Sequence, residues 1–143
     1  RADAHCGRAT AFLALGRIEE AIASYEAALA REAQLPNVLT EAYVELPYLI
    51  ATRGIRERYS QAIQLLENHK SRLTWPVERF LWHAAYALIT AAGGDRTSAK
   101  AHAMNALDAA ALKKSRFRRH ATLGLVTKDY DSIIRNLKEY VRA

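Results

Sequence analysis

Three breaks marked by glycine, at Gly16-Arg17, Gly54 and Gly93-Gly94, each separate two stretches whose apolar residues recur every three or four positions. That is the pattern of a helix, a tight turn and a second helix, repeated along the chain, and it predicts an all-α fold. After the first break, Ile18, Ala21, Ile22, Tyr25, Ala28 and Leu29 form one apolar stripe, and Glu19 and Glu20 sit in its first turn, where carboxylates oppose the positive end of the backbone dipole. Leu35-Pro36-Asn37 closes this helix, because proline interrupts helical hydrogen bonding and restricts the residue before it.

The middle of the chain is less regular. A helix from about Val38 to Arg53 has to absorb Pro47, so a bend or local restart is expected there. Tyr59, Ala62, Ile63 and Leu66 then mark the packed face of a helix ending near His69-Lys70. Thr74 or Trp75 stands at the next boundary, with Pro76 in the first helical position, where its missing N–H costs little. The stripe Val77, Leu81, Ala84, Ala85 and Leu88 runs to Gly93-Gly94. Asp95 is the expected cap of a following helix with Ala99, Ala103, Ala106, Leu107 and Ala110 on its apolar side. Residues 120–127 read as non-helical, and Tyr130, Ile133, Ile134, Leu137 and Val141 give a last amphipathic helix.

Half of the 143 residues are hydrophobic, enough to enclose a core without metal or disulfide. The single cysteine, Cys6, excludes an internal disulfide and fits a cytoplasmic location. No run of apolar residues is long enough to span a bilayer and no signal-peptide pattern is present, so neither a membrane role nor export is expected. Because the sequence begins at Arg1 and not at methionine, the expectation is that residues upstream have been removed or that this is one piece of a longer protein. A net charge of +6 favours acidic partners without selecting among nucleic acid, lipid and protein.

The stretch from Ala4 to Leu29 resembles a tetratricopeptide repeat: Leu15-Gly16-Arg17-Ile18-Glu19-Glu20-Ala21-Ile22 is followed by Tyr25 and Ala28 at the aromatic and small packing positions, with Ala9 and Phe12 matching the first helix. Gly94, Ala99, Ala103 and Ala106 occupy related positions in the third unit along the chain, and Gly54, Tyr59 and Ala62 mark the second, more divergent one. The usual closing proline is displaced to Pro36, and Ala21, Ala62 and Ala99 lie 41 and 37 residues apart, longer than a standard repeat. The resemblance implies a single domain of stacked antiparallel helix pairs, an α-solenoid, over 1–143. Repeat 1 would span 1–35, a divergent repeat 2 would span 37–70, repeat 3 would span 76–115, and a capping helix would span 127–142. The alternative is an irregular helical bundle.

The family binds extended peptides or helices along a groove lined by the first helix of each pair. The resemblance carries that role to Asp3, Cys6, Thr10 and Leu13, to Glu41, Val44, Tyr48 and Thr52, and to Leu81, Ala84, Leu88 and Ala91. The arrangement of basic and amide residues that clamps a terminal carboxylate in some members is missing. Leu81, Ala84 and Leu88 also belong to the core stripe, so packing competes with binding at those positions. Tyr43, Tyr48, Trp82 and Tyr86 are better interface candidates, since aromatic side chains combine apolar area with a polar handle.

Lys113, Lys114, Arg116, Arg118 and Arg119, interleaved with Phe117 and followed by His120, can hold an anionic partner, although a solvated helix end explains the same charges. Arg53, Arg56 and Arg58 can extend such a surface. No reaction centre is expected. His5 and Cys6 are adjacent and point apart on a helix, and His69, His83, His102 and His120 form no metal-binding spacing. Gly93-Gly94-Asp95-Arg96 lacks the lysine of a phosphate loop. The expected function is therefore a non-catalytic module without cofactor or metal that binds a protein or peptide or a second copy of itself. Regulation through nucleic acid or an acidic partner at the basic segment is the alternative.

Overall fold

The computed structural model describes residues 2–37, 39–112 and 125–142, with backbone only for 2–6. Among them the protein is all-α, with seven α-helices and no strand: α1 (Ala2–Ala14), α2 (Ile18–Gln34), α3 (Ala42–Thr52), α4 (Tyr59–Asn68), α5 (Pro76–Ala92), α6 (Arg96–Ala110) and α7 (Asp131–Arg142). Short 3-10 turns at Arg56–Arg58, Lys70–Arg72 and Lys128–Tyr130 precede α4, follow it and precede α7. No helix among the described residues is long and apolar enough to cross a membrane. The helices form two compact units, Arg1–Leu46 and Pro47–Ala143, which divide inside α3.

One turn recurs three times. Between α1 and α2, after α3, and between α5 and α6, the connector is three residues long with a glycine in the middle at positive φ: Gly16 at 73°, Gly54 at 65° and Gly94 at 85°. The residue after each glycine donates its N–H five residues back, Arg17 to Phe12, Ile55 to Ile50 and Asp95 to Thr90, at 2.9, 3.1 and 3.0 Å. Each glycine donates three residues back, Gly16 to Leu13, Gly54 to Ala51 and Gly94 to Ala91. This paired pattern satisfies the last carbonyls of a helix and requires a left-handed residue, which glycine adopts without the Cβ clash. An added Cβ at Gly94 would meet nothing within 4 Å, so any penalty there comes from the backbone alone. Gly94→Ala is expected to lower stability by about 1 kcal/mol, read from the urea midpoint. An unchanged midpoint would show that the turn does not depend on left-handed backbone.

The first unit is held by α2 against α1, with Ala9, Ala21, Ile22, Tyr25 and Ala28 buried. Its loop is pinned by Glu32, a buried carboxylate that accepts from both the backbone N–H of Thr40 and its hydroxyl, the latter at 2.7 Å. The Thr40 hydroxyl oxygen in turn accepts from the N–H of Ala42 at 3.3 Å, at the start of α3. Helix α3 is shorter than the sequence suggests, beginning at Ala42, and it runs through Pro47 without restarting. Pro47 lies in the second turn, where it has no N–H to offer the carbonyl of Tyr43.

The second unit is organised around α5, which packs mainly on α6 and also contacts α4 and α7. Pro76 occupies the first position of α5, and Glu78 reaches back to accept the N–H of Trp75 at 2.8 Å. Asp95 caps α6 by accepting from the N–H of Ser98 at 3.1 Å, a bond that lowers its carboxyl pKa. Ala99, Ala103, Ala106 and Ala109 form the buried side of α6, and their size lets α5 and α6 approach closely. Helix α7 lies on α6 and places Leu137 in the core.

Candidate functional site

A set of polar and aromatic side chains gathers where α5, α6 and the turn after α4 meet. Trp82 is 1% exposed, and its indole N–H donates to the carbonyl of Leu66 at 2.7 Å. One turn later Tyr86 stacks on Trp82, with centroids 5.1 Å apart and planes at 27°. His102 of α6 stacks on the other partner, Tyr86, at 4.2 Å and 26°. His83 meets the edge of Trp82 at 4.9 Å, and its Nδ1 lies 3.0 Å from Nδ1 of His102. The Lys70 ammonium sits 5.4 Å from the Trp82 ring centre. A cation on an indole face at this distance is attracted to the ring quadrupole.

Two nitrogens 3.0 Å apart can hold one hydrogen between them, so one imidazole donates and the other accepts. Burial first, and then His102, Lys70 and Arg79, bring His83 from 6.5 down to about 4. His102 is lowered as well, by burial and then Lys70, with Glu67 acting in the opposite direction. Burial and a hydrogen bond to Glu67 push the Tyr86 phenol up. Arg79, one helical turn before His83, donates through Nη2 to the Thr74 carbonyl at 3.4 Å, while its Nε is buried without a partner among the described residues. No group of three or more His, Cys, Asp or Glu among the described residues is placed to hold a metal ion.

The positions named from the sequence fall out unevenly. Tyr43, Val44 and Trp82, named as interface candidates, are buried at 1, 0 and 1% exposure and have no surface to offer a partner; they are packing residues. Leu81 and Ala84 are likewise buried, which favours packing over groove lining, while Leu88 and Ala91 are half-buried. Tyr86 keeps a partly exposed face. Tyr48 is half-buried against Phe80 and Tyr130, with centroids at 6.5 and 5.9 Å, and burial raises its phenol pKa. Thr52 turns its hydroxyl inward to the carbonyl of Tyr48 at 2.8 Å. Glu41 and Thr10 are exposed, and Leu13 is half-buried. The side chains of Asp3 and Cys6, and all of Lys113, Lys114, Arg116, Arg118 and Arg119, lie outside the described residues.

The imidazole pair was not anticipated, since His83 and His102 stand 19 residues apart. A usable signal was there: they lie 11 residues before and 8 after the turn glycine Gly94, and an antiparallel pair folded at that glycine brings such positions opposite each other. Away from the pair, a cavity of about 280 Å³ is lined by Ala91, Arg96, Ala99 and Tyr140. Another of about 290 Å³ lies between α1 and α2, beside Phe12 and Ser24. The first has Arg96 and Tyr140 in its lining and the second Arg8 and Glu20.

No family model, curated protein or solved structure matches this chain.

Proposed function

We propose that the chain is a non-catalytic interaction module of tetratricopeptide-like helix pairs, whose partner is a protein or peptide, a second copy of the chain included. The observation that carries this reading is the threefold recurrence of one turn, with the same length, the same left-handed glycine and the same pair of hydrogen bonds at Gly16, Gly54 and Gly94. The small buried residue five positions after the glycine recurs too, as Ala21 and Ala99. In the middle unit Ala62 falls eight positions on, because the 3-10 turn Arg56–Arg58 adds three residues before α4 begins. Subtracting that insertion turns the uneven alanine intervals of 41 and 37 into 38 and 40, the spacing of the glycines themselves. Repeated helix pairs expose a broad, graded surface well suited to recognising another chain.

The test is affinity capture with the purified chain at low and high salt, with captured protein and nucleic acid both identified. A protein partner retained at high salt and released by Tyr86→Ala is expected, because a packed aromatic contact resists screening. Recovery of nucleic acid alone, and only at low salt, would sink the proposal and point to the basic segment 113–120.

A further inference from the structure

We infer that the cavity lined by Ala91, Arg96, Ala99 and Tyr140 is a binding site for a small organic carboxylate whose apolar part is the size of one aromatic ring. Such a ligand is separate from the protein or peptide partner proposed above. The site lies within the second unit, where α5, α6 and α7 supply its walls.

The sequence puts a cation where a helix does not favour one. Arg96 is the first residue of α6, at the positive end of the backbone dipole, and that first turn contains no acid. Lys100 follows one turn on along the same face, and like charges four residues apart repel. The acids next to Arg96 and Tyr140 in sequence are committed elsewhere. Asp95 accepts from the N–H of Ser98 at 3.1 Å, and Glu139 accepts from Nη1 of Arg142 at 3.2 Å. No side-chain hydrogen bond or ion pair among the described residues engages the Arg96 guanidinium. A bound anion offsets the dipole and the repulsion together.

The cavity selects a carboxylate with an apolar tail. Its volume of about 280 Å³ holds about 200 Å³ of ligand at the packing density of a protein interior, ample for one ring carrying a short acid side chain. Ala91 and Ala99 give apolar walls, and their short side chains leave the space open. Arg96 and Tyr140 are the polar lining, and a few polar groups in an apolar cleft are the usual form of a small-molecule site. A guanidinium presents two parallel N–H donors that match the two oxygens of a carboxylate, and a phenol can add a third donor. Burial and then Tyr59 push the Tyr140 phenol up, so its hydroxyl keeps the hydrogen to donate. One guanidinium balances one negative charge, whereas a phosphate monoester dianion calls for a second cation in the lining.

The experiment is calorimetric titration of the whole chain with sodium 3-phenylpropionate at about pH 7.5, where the acid is ionised, with 3-phenylpropanamide and phenyl phosphate alongside. The carboxylate is expected to saturate a single site with a Kd of about 1 mM or tighter. The amide, which has the same shape without the charge, is expected to bind roughly tenfold more weakly. Arg96→Gln, at an exposed position, should weaken carboxylate binding by a similar factor while its melting temperature stays level or rises, because a cation leaves the positive helix end. Ala91→Leu, with helix content checked by circular dichroism, should abolish binding by filling the cavity. No saturable binding of 3-phenylpropionate, equal binding of the amide, or a preference for phenyl phosphate overturns the site. Unchanged affinity in Arg96→Gln or in folded Ala91→Leu overturns it as well. None of these results bears on whether a salt-resistant protein partner is captured through Tyr86, so the module reading stands or falls separately.

Discussion

Replacing Trp82 with alanine is expected to cost the fold about 4 kcal/mol and to lower the melting temperature by roughly 15 °C. The side chain is buried to within 1%, is stacked on Tyr86 and edged by His83, so its removal leaves a large hole among packed rings. It also strands the Leu66 carbonyl, which loses the indole donor at 2.7 Å. Trp82→Phe separates the two effects, since it keeps most of the volume and loses only the donor. Tyr86→Ala should cost less than half as much as Trp82→Ala, because Tyr86 already shows a face to solvent. Thermal melts of the three variants decide the matter. A Trp82→Ala protein that melts within a degree or two of the parent would mean that this indole is no core residue, and would return it to the interface candidates.

The second large effect is set by pH. His83 ionises at about 4 in the folded chain, against 6.5 for a free imidazole. Between those values the unfolded chain binds more protons, so stability rises with pH through this window. The contribution is complete above about 6.5 and disappears as pH falls toward 4. Taken at face value the shift is worth roughly 3 kcal/mol, and solvent screening of a half-exposed ring reduces this to about 2 kcal/mol. His102 moves in the same direction and steepens the loss. Urea midpoints measured from pH 7.5 to pH 4 should show the decline, and His83→Gln should flatten it. A flat parent profile over the same range would remove the depressed imidazole from the account.

Much of the scaffold was legible because its signals are local. Glycine before a new apolar stripe, Pro76 at a helix start and Asp95 at a cap each act within one turn of chain, and the helices begin and end where these residues direct. What escaped has longer reach. The helix expected from Val38 starts only at Ala42, since a carboxylate eight residues away, Glu32, ties Thr40 into the loop. Pro47 is absorbed inside α3 as the sequence required, and of the bend or local restart expected there the restart does not occur. Trp82 and Tyr43 looked like surface handles because aromatic identity does not say which way a residue faces on helices as apolar as α3 and α5. The imidazole pair depends on the register between α5 and α6, which becomes available once both sides of the Gly94 turn are counted together.

The three-residue connectors also bear on how quickly this chain can find its fold. Closing α1 on α2, or α5 on α6, joins neighbours in sequence and requires no long loop to be immobilised first. Low contact order of this kind places the formation of each helix pair on the order of microseconds to milliseconds. A ribosome adds residues far more slowly than that. Each pair can therefore close soon after its second helix leaves the exit tunnel, and its apolar faces spend little time uncovered while the rest of the chain is still being made.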